Sequence, residues 1–545
     1  MAYLASGPGG QPILILKEGT QRSRGAEARS NNIEVAIVVA DVLKTALGPR
    51  GMDKMLVDSL GDLTITNDGA KILEEMELEH PIGKMIKEAA KTQEDTVGDG
   101  CTTATILTGE LLRRAEELLD ENIHPTVIIS GYRKAEQRAL EALEDISTDT
   151  DIDDVETLRN VALTSMGGKT VGGAAELFAG IAIDAVRLVA EKRGDALYVD
   201  KDDIQIVKKE GKSLQETELI RGIVLDKDVV HPGMPKLVDD AKIALVDAAL
   251  EVEKTEIDAE IRIRDPASVR AFLDQETRLI EKMVGQVKKS GANVLLCQKG
   301  IDDVAQHLLA KAGILAVTRV KESDMEKLAK ATGAEIVTSL DDIWPDDLGE
   351  AGVVEERKIG DDKMVFIEDC KTPTAVSILI RAGLERMVEE AERAMEDAIS
   401  VVTDVVQMPK VVAGGGAAEA EVARRLRGYA VKIGGREQLA IEAFSDALEA
   451  VPKTLAENAG HDVLDTLVEL RAAHEKSGGQ SMGVEVYSGD IVDMYERNVI
   501  DSTKVKQQAI KTATELASMV LRIDDVIAAS KPREEGPRGP EEEEY

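Results

Sequence analysis

LTITNDGAKIL (residues 63–73) and EDTVGDGCTT (residues 94–103) place two Asp-Gly steps on either side of one amphipathic segment. From Pro81, the apolar residues Ile82, Met85, Ile86, Ala89 and Ala90 recur at i, i+3, i+4, i+7 and i+8, the stripe of a core-packed helix. Pro81 suits a first helical position and Gly98 the exit. A second helix follows at once, with Ala104, Leu107, Thr108, Leu111, Ala115 and Leu118 on one face. Thr102 and Thr103 thus stand at a helix start, behind a tight Gly98-Asp99-Gly100 bend. Unpaired N–H groups and the positive dipole end there favour an anion such as a phosphate. Gly98 and Gly100 let a ligand approach the backbone. Asp99, a carboxylate among phosphate-binding groups, fits a magnesium ion, a hard cation that takes oxygen ligands. Asp68 adds a second carboxylate if the intervening helix folds back. Each Asp-Gly alone is an ordinary turn; the bracketed pair is what raises the reading above that.

The 545 residues suffice for roughly three or four domains. Aromatic residues make up 2% of the chain, so its cores must be built from Ala, Val, Ile, Leu and Met. That scarcity excludes an aromatic platform for single-stranded nucleic acid, and a formal charge of −36 argues against any phosphate-backbone binder. Such a charge suits a large particle kept in solution, in a cytoplasm salty enough to screen self-repulsion. Cys101, Cys297 and Cys370 form no CxxC pair and fit reduced thiols. The six histidines show no zinc spacing, and no window approaches 18 uncharged apolar residues. The expectation is a cytoplasmic protein with no nucleic-acid or membrane partner.

Along the chain, residues 12–18 read as a strand and residues 31–47 as a buried helix stopped by LGPRG (residues 47–51). Residues 54–57 and 63–66 form a hairpin, and helices run to about residue 146. STDTDIDD (residues 147–154) marks a boundary. A helical stretch over residues 155–193 is broken by TSMGGK (residues 164–169), whose Lys169 is either a phosphate contact or a solvated cation. Residues 196–225 are strand-rich. EIDAEIRIR (residues 256–264) alternates like a strand, a helix spans residues 265–289, and strand and helix then alternate to residue 338, predicting βαβ units with a parallel core. A hairpin turns near Gly360. Residues 384–406 form a long helix whose Asp397 sits among Glu389, Glu390, Glu392 and Glu396, by itself the pattern of a solvated acidic face. Gly414-Gly415-Gly416 precedes a helix from Ala417, a hairpin lies near residues 477–489, and residues 520–528 read as a strand. The tail, residues 531–545, has the composition of a disordered acidic segment.

LGPRGMDKMLVDSLGDLTITNDGAKIL, VGDGCTTATILTGELL, GANVLLCQKGIDDVAQHLLAKAGI, VVAGGGAAE and VIDSTKVK, in that order, resemble the group II chaperonins, whose members include the archaeal thermosome and the eukaryotic cytosolic chaperonin. The likeness is strongest to the archaeal branch and runs from about residue 12 to residue 529. It implies a multidomain α+β and α/β fold. A mostly helical equatorial ATPase domain would comprise residues 1–150 and 413–530, and a small intermediate hinge domain residues 151–223 and 377–412. An inserted α/β apical domain would span residues 224–376, with a helical lid protrusion at about residues 254–282 whose Phe272 and Leu273 bury against neighbours on closing.

The resemblance also implies site roles. Leu47, Gly48 and Pro49 line the nucleotide, Asp99 binds Mg2+, and Gly100, Thr102 and Thr103 hold the phosphates of ATP or ADP. Cys101 stands where the family usually has Thr. A thiol is a weak donor, so its backbone N–H would serve there. Asp68 and Asp397 orient and activate the attacking water, Lys169 senses the γ-phosphate, Gly415 packs near ribose or base, and Asp501 meets the ribose. No GxxxxGK[ST] sequence occurs, so the cradle is not a P-loop. The implied assembly is a homo- or hetero-oligomer of two stacked rings of eight or nine subunits, enclosing unfolded or partly folded proteins. K+ is a possible second ion, and terminal strands (residues 13–16 and 520–528) would pair with a neighbour's hairpin. Two other classes fit the same acidic site: a passive ATP-binding holdase or structural ring, and a metabolic phosphotransferase.

Overall fold

With so few rings to bury, three aliphatic cores carry the fold. The first joins both ends of the chain. Helices Gly25–Lys44, Pro81–Val97, Cys101–Asp120 and Pro125–Ile146 pack with Ala417–Ile433, Gly435–Leu448 and Thr503–Arg522. Its small Ala and Gly faces allow close approach: Ala40 sits so near Gly109 that a Cβ there would collide. Tyr132 and Phe444 meet edge to face at 5.6 Å, and the Tyr132 hydroxyl donates to the Leu111 carbonyl at 2.7 Å.

The second core belongs to a mixed sheet in the middle of the chain. Its strands lie in the order Gly222–Leu225, Asp362–Cys370, Gly349–Ile359, Leu237–Val246, Val294–Cys297, Leu315–Val317, with Ile336–Val337 also parallel to Leu237–Val246. Ile243 pairs in parallel with Val294, and Val294 with Leu315; the other pairs are antiparallel. Val294–Cys297 and Leu315–Val317 are buried on both faces, and helices Pro266–Ser290, Asp303–Ala312 and Glu322–Thr332 lie between the parallel strands in the chain. This is the expected βαβ alternation.

The third core again draws on two distant stretches. Helices Val155–Met166, Ala175–Val189 and Glu385–Gln407 enclose it with strands Ile204–Glu210, Val376–Ala382 and Glu218–Ile220. A three-stranded sheet, Ile500–Ser502, Lys410–Ala413 and Thr148–Asp149, ties it to the first core.

The structure, a computed structural model, describes all residues except 1–2, 7–11, 16–20, 170, 195, 252–265, 361, 371–373 and 529–545. The alternating stretch at residues 256–264, residues 254–265 of the protrusion and the acidic tail fall outside the described residues, as do the side chains of Phe272 and Leu273. Three expectations need correction. The first helix starts at Gly25, six residues before the apolar run, because its opening turns are polar. The C-terminal strand is Asp525–Ala528; Val520–Arg522 finish a helix whose buried Val520 and Leu521 complete its core face. The late hairpin is Met482–Val484 with Ile491–Asp493, not residues 477–489. The C-terminal strand also has a partner within the chain, the antiparallel strand Gln21–Arg24.

Candidate active site

Two helix starts meet at one point. Asp68 is the N-cap of Gly69–Glu75: its Oδ1 accepts from the backbone N–H groups of Ala70 at 2.9 Å and Lys71 at 3.3 Å. Gly69 lies against Thr102, with room for no Cβ, so this start abuts the first turn of Cys101–Asp120. That second helix opens at Gly100 (φ +79°), and no side chain caps it. The orphan N–H groups of Cys101, Thr102 and Thr103 are therefore open to a ligand. A third start, also without a side-chain cap, is that of Ala417–Ile433, which opens at Gly416 (φ +78°), just after Gly415 (φ +60°). The triple glycine is needed for packing as well: a Cβ on Gly415 would strike Met494, and one on Gly416 would strike Pro452.

These starts border a cavity of about 630 Å³. Leu47, Gly48 and Pro49 line it, with Gly48 at φ +80°. Asp68, Asp99, Gly100, Cys101, Thr102 and Thr103 line it from the two adjoining starts. Lys169, Asp397, Gly415 and Asp501 complete the set, so the structure brings every residue expected at the nucleotide site into one lining. The volume lies within the usual range for small-molecule sites.

Lys169 is the electrostatic centre. Its Nζ is 3.0 Å from Asp68 Oδ2 and also contacts Asp397 Oδ2. Side-chain exposures are 8% for Lys169, 9% for Asp68 and 11% for Asp397. Burial would lower the Lys169 ammonium, but the charges of Asp397 and Asp68 outweigh it and hold it above the usual lysine range. The two carboxyls diverge. Burial would raise Asp68, yet Lys169 and the capping N–H groups of Lys71 and Ala70 bring it below the usual range. Among the described residues no backbone N–H donates to Asp397; burial, with repulsion from Asp68 and Asp99, lifts it well above that range despite Lys169. Asp99 is raised by burial and by Asp501, against the pull of the Gly100 N–H, which donates to its Oδ1 at 2.5 Å, and of Lys169. Burial and four surrounding acids push the Cys101 thiol far up, which keeps it a neutral, unreactive group.

The donor set suits Mg2+ held against phosphates. Among the described residues no three His, Cys, Asp or Glu side chains gather to hold a metal by themselves. A single carboxylate beside open helix starts is the arrangement in which Mg2+ takes its other ligands from phosphate and water.

Two contributors escaped sequence reading. Lys506 is buried and pairs with Asp501 and Glu419, both at 2.8 Å. It follows Asp501 by five residues at a helix start, a spacing visible in DSTKVK. Asn67 donates its amide to the Gly168 carbonyl, pinning the loop that carries Lys169.

A chain folded from both ends around one helical core, with a glycine- and acid-lined cavity and an inserted α/β region, has the build of a chaperonin subunit. The family comparison agrees: the model of the TCP-1/cpn60 chaperonin family matches residues 39–531, and the chain belongs to that family. The thermosome subunit of Pyrococcus horikoshii is 56% identical over 547 residues, covering 100% of this chain and 99% of that protein. The thermosome subunit beta of Thermococcus kodakarensis is 57% identical, with 97% and 96% covered. The thermosome subunit alpha of Archaeoglobus fulgidus is 57% identical, with 97% of each chain covered. No helix among the described residues is long and apolar enough to cross a membrane.

Proposed function

We propose that the chain is an ATP-hydrolysing subunit of a cytoplasmic double-ring chaperonin that encloses non-native proteins and couples turnover to closure of a built-in lid. The observation that carries the reading is the meeting of Asp68 and Asp397 on one lysine at the edge of open helix starts. Asp99 would hold Mg2+, which when bound neutralises phosphate charge. The N–H groups at Cys101, Thr102 and Thr103 and the hydroxyls of the two threonines bind the phosphates. Leu47, Gly48, Pro49 and Gly415 enclose the rest of the nucleotide, and Asp501 accepts from the ribose. Asp68, fixed by its cap, and Asp397 orient the attacking water. Lys169 leaves their mutual pairing to contact the terminal phosphate.

In this reading the helical body of residues 1–150 and 413–530 is equatorial, residues 151–223 and 377–412 are the hinge, and residues 224–376 are apical. The separate aliphatic cores support that division. Because Asp397 belongs to the hinge, turnover requires that the hinge be closed. Rings would assemble by strand addition. Hairpin Lys54–Val57 and Leu63–Thr66 exposes Met55, Val57 and Leu60, and the Gln21–Arg24 and Asp525–Ala528 ribbon is two-stranded among the described residues. Eight or nine copies, identical or paralogous, would make each ring.

Replacing Asp397 by Ala tests this. Assembly and ATP binding are expected to persist while phosphate release falls about 100-fold or more. Unchanged turnover would refute the role of Asp397. A wild-type particle that binds ATP without releasing phosphate would be a holdase, and a compact monomer turning over a small acceptor would be a phosphotransferase.

A further inference from the structure

Helix Glu385–Gln407 carries buried acids at Glu390, Asp397 and Asp404, seven residues apart and therefore on one face. Each meets a different distant segment. Glu390 accepts from the Thr66 hydroxyl at 3.4 Å, and Thr66 in turn accepts from the Asp68 N–H at 3.1 Å. Asp397 meets Lys169. Asp404 Oδ1 accepts from Lys504 Nζ at 2.6 Å.

The last pair is placed against the local physics on both sides. Asp404 is an acid in the last turns of its helix, where the dipole favours cations, and no basic residue stands in the last turn to offset it. Lys504 is a cation in the first turn of Thr503–Arg522, where the dipole favours anions. Asp404 is 3% exposed, and among the described residues its Oδ2 has no hydrogen-bond partner. Burial outweighs Lys504 and lifts its carboxyl to about 6. Each charge is thus misplaced on its own helix and is answered across the joint by the other. Asp404 is buried while Lys504 is 30% exposed, so the pair adds little stability by itself.

What it fixes is close at hand. Asp397 lies two turns back, about 10 Å along the same face. Lys504 stands between Asp501 and Lys506, which both line the cavity and pair with each other. Between the two acids, Ser400 packs on Gly98 with no space for a Cβ. Resting on the ATPase reading above, we infer that Asp404 and Lys504 are a positioning pair: they clamp helix Glu385–Gln407 to the start of helix Thr503–Arg522 and so set where Asp397 stands over the cavity.

The test uses the assembled particle with Asp404→Asn, Lys504→Met, the double variant and Lys504→Arg. Mg-ATP binding, single-turnover phosphate release and hydrogen exchange of residues 385–407 are measured on each. Asp404→Asn and Lys504→Met are each expected to lower kcat about tenfold, with the ATP Kd changed less than twofold and exchange in the helix accelerated. The double variant should be no slower than either single one, and Lys504→Arg should keep at least half the wild-type rate. A kcat within twofold of wild type in Asp404→Asn, or losses that add in the double variant, would overturn the clamp. Wild-type particles lacking turnover would instead overturn the ATPase reading. The clamp would then stand or fall on whether Asp404→Asn accelerates exchange.

Discussion

The wall of the cavity built from both chain ends is held by backbone, whereas the wall formed by helix Glu385–Gln407 is held by side chains alone. Asp68 caps a helix, Gly100 and Gly416 open two others, and their placement follows from main-chain geometry. Among the described residues Asp397 has Lys169 and no main-chain donor. The electrostatics mirror this contrast: of two acids sharing one lysine, the capped one is lowered and the uncapped one raised. A wall anchored by backbone keeps its shape with or without ligand. A wall joined by ion pairs can part from it, since each pair exchanges for water or phosphate at modest net cost.

The largest effect should follow from removing the shared cation. Lys169→Met leaves two buried carboxyls facing each other, a loss of about 3–5 kcal/mol on the scale of a broken buried pair. Urea unfolding at pH 8 should show it. The deficit should shrink toward pH 5, because carboxyls left without a cation have folded pKa values above their unfolded ones and are relieved as they take up protons. A deficit independent of pH would mean the lysine serves packing rather than charge. A smaller effect is expected at the joint. Gly98→Ala puts a Cβ on Ser400 at φ +67°, whereas Gly48→Ala at φ +80° meets the movable end of Leu455. Both variants carry the left-handed penalty of about 1–2 kcal/mol. Gly98→Ala alone should add overpacking of about 1–2 kcal/mol and displace the helix bearing Asp397. Equal melting shifts for the two variants would show that the two walls are equally compliant.

The backbone-held wall was also the legible one. The turn at Gly98-Asp99-Gly100, the helix from Pro81 and the glycines before Ala417 announce themselves through local rules of capping and φ. Asp397 did not. Its helix carries many acids, and the seven-residue spacing that groups Glu390, Asp397 and Asp404 does not say whether that face is buried; only packing against segments a hundred or more residues away does so. Lys506 was hidden for the same reason, since a cation near a helix start runs against the dipole and is explained only by Asp501 and Glu419. The family likeness supplied Asp397 and Asp501, which local pattern could not. The end of the last helix reads as strand because a β-branched apolar run such as that around Val520 fits a strand as well as a buried helix turn.

The smallest effect concerns Glu94, which lines the cavity between the two walls. Burial, with repulsion from Asp68, Glu396 and Asp95, outweighs Lys169 and pushes its carboxyl up to about 7 from an ordinary 4.5. The folded state therefore binds the proton more tightly than the unfolded chain. The resulting penalty is absent below about pH 4.5, grows as pH rises from there to about 7, and is complete above it. Glu94→Gln removes the ionising group and keeps the shape. Because Glu94 is only partly buried, solvent screening trims the gain to about 1 kcal/mol at pH 8. Thermal melting of the ligand-free particle at pH 8 and at pH 5 should show the variant ahead at pH 8, with its advantage largely gone at pH 5. An equal advantage at both pH values would mean that the strain at Glu94 is steric, and that the crowding of acids between the walls is not what prepares the joint to open.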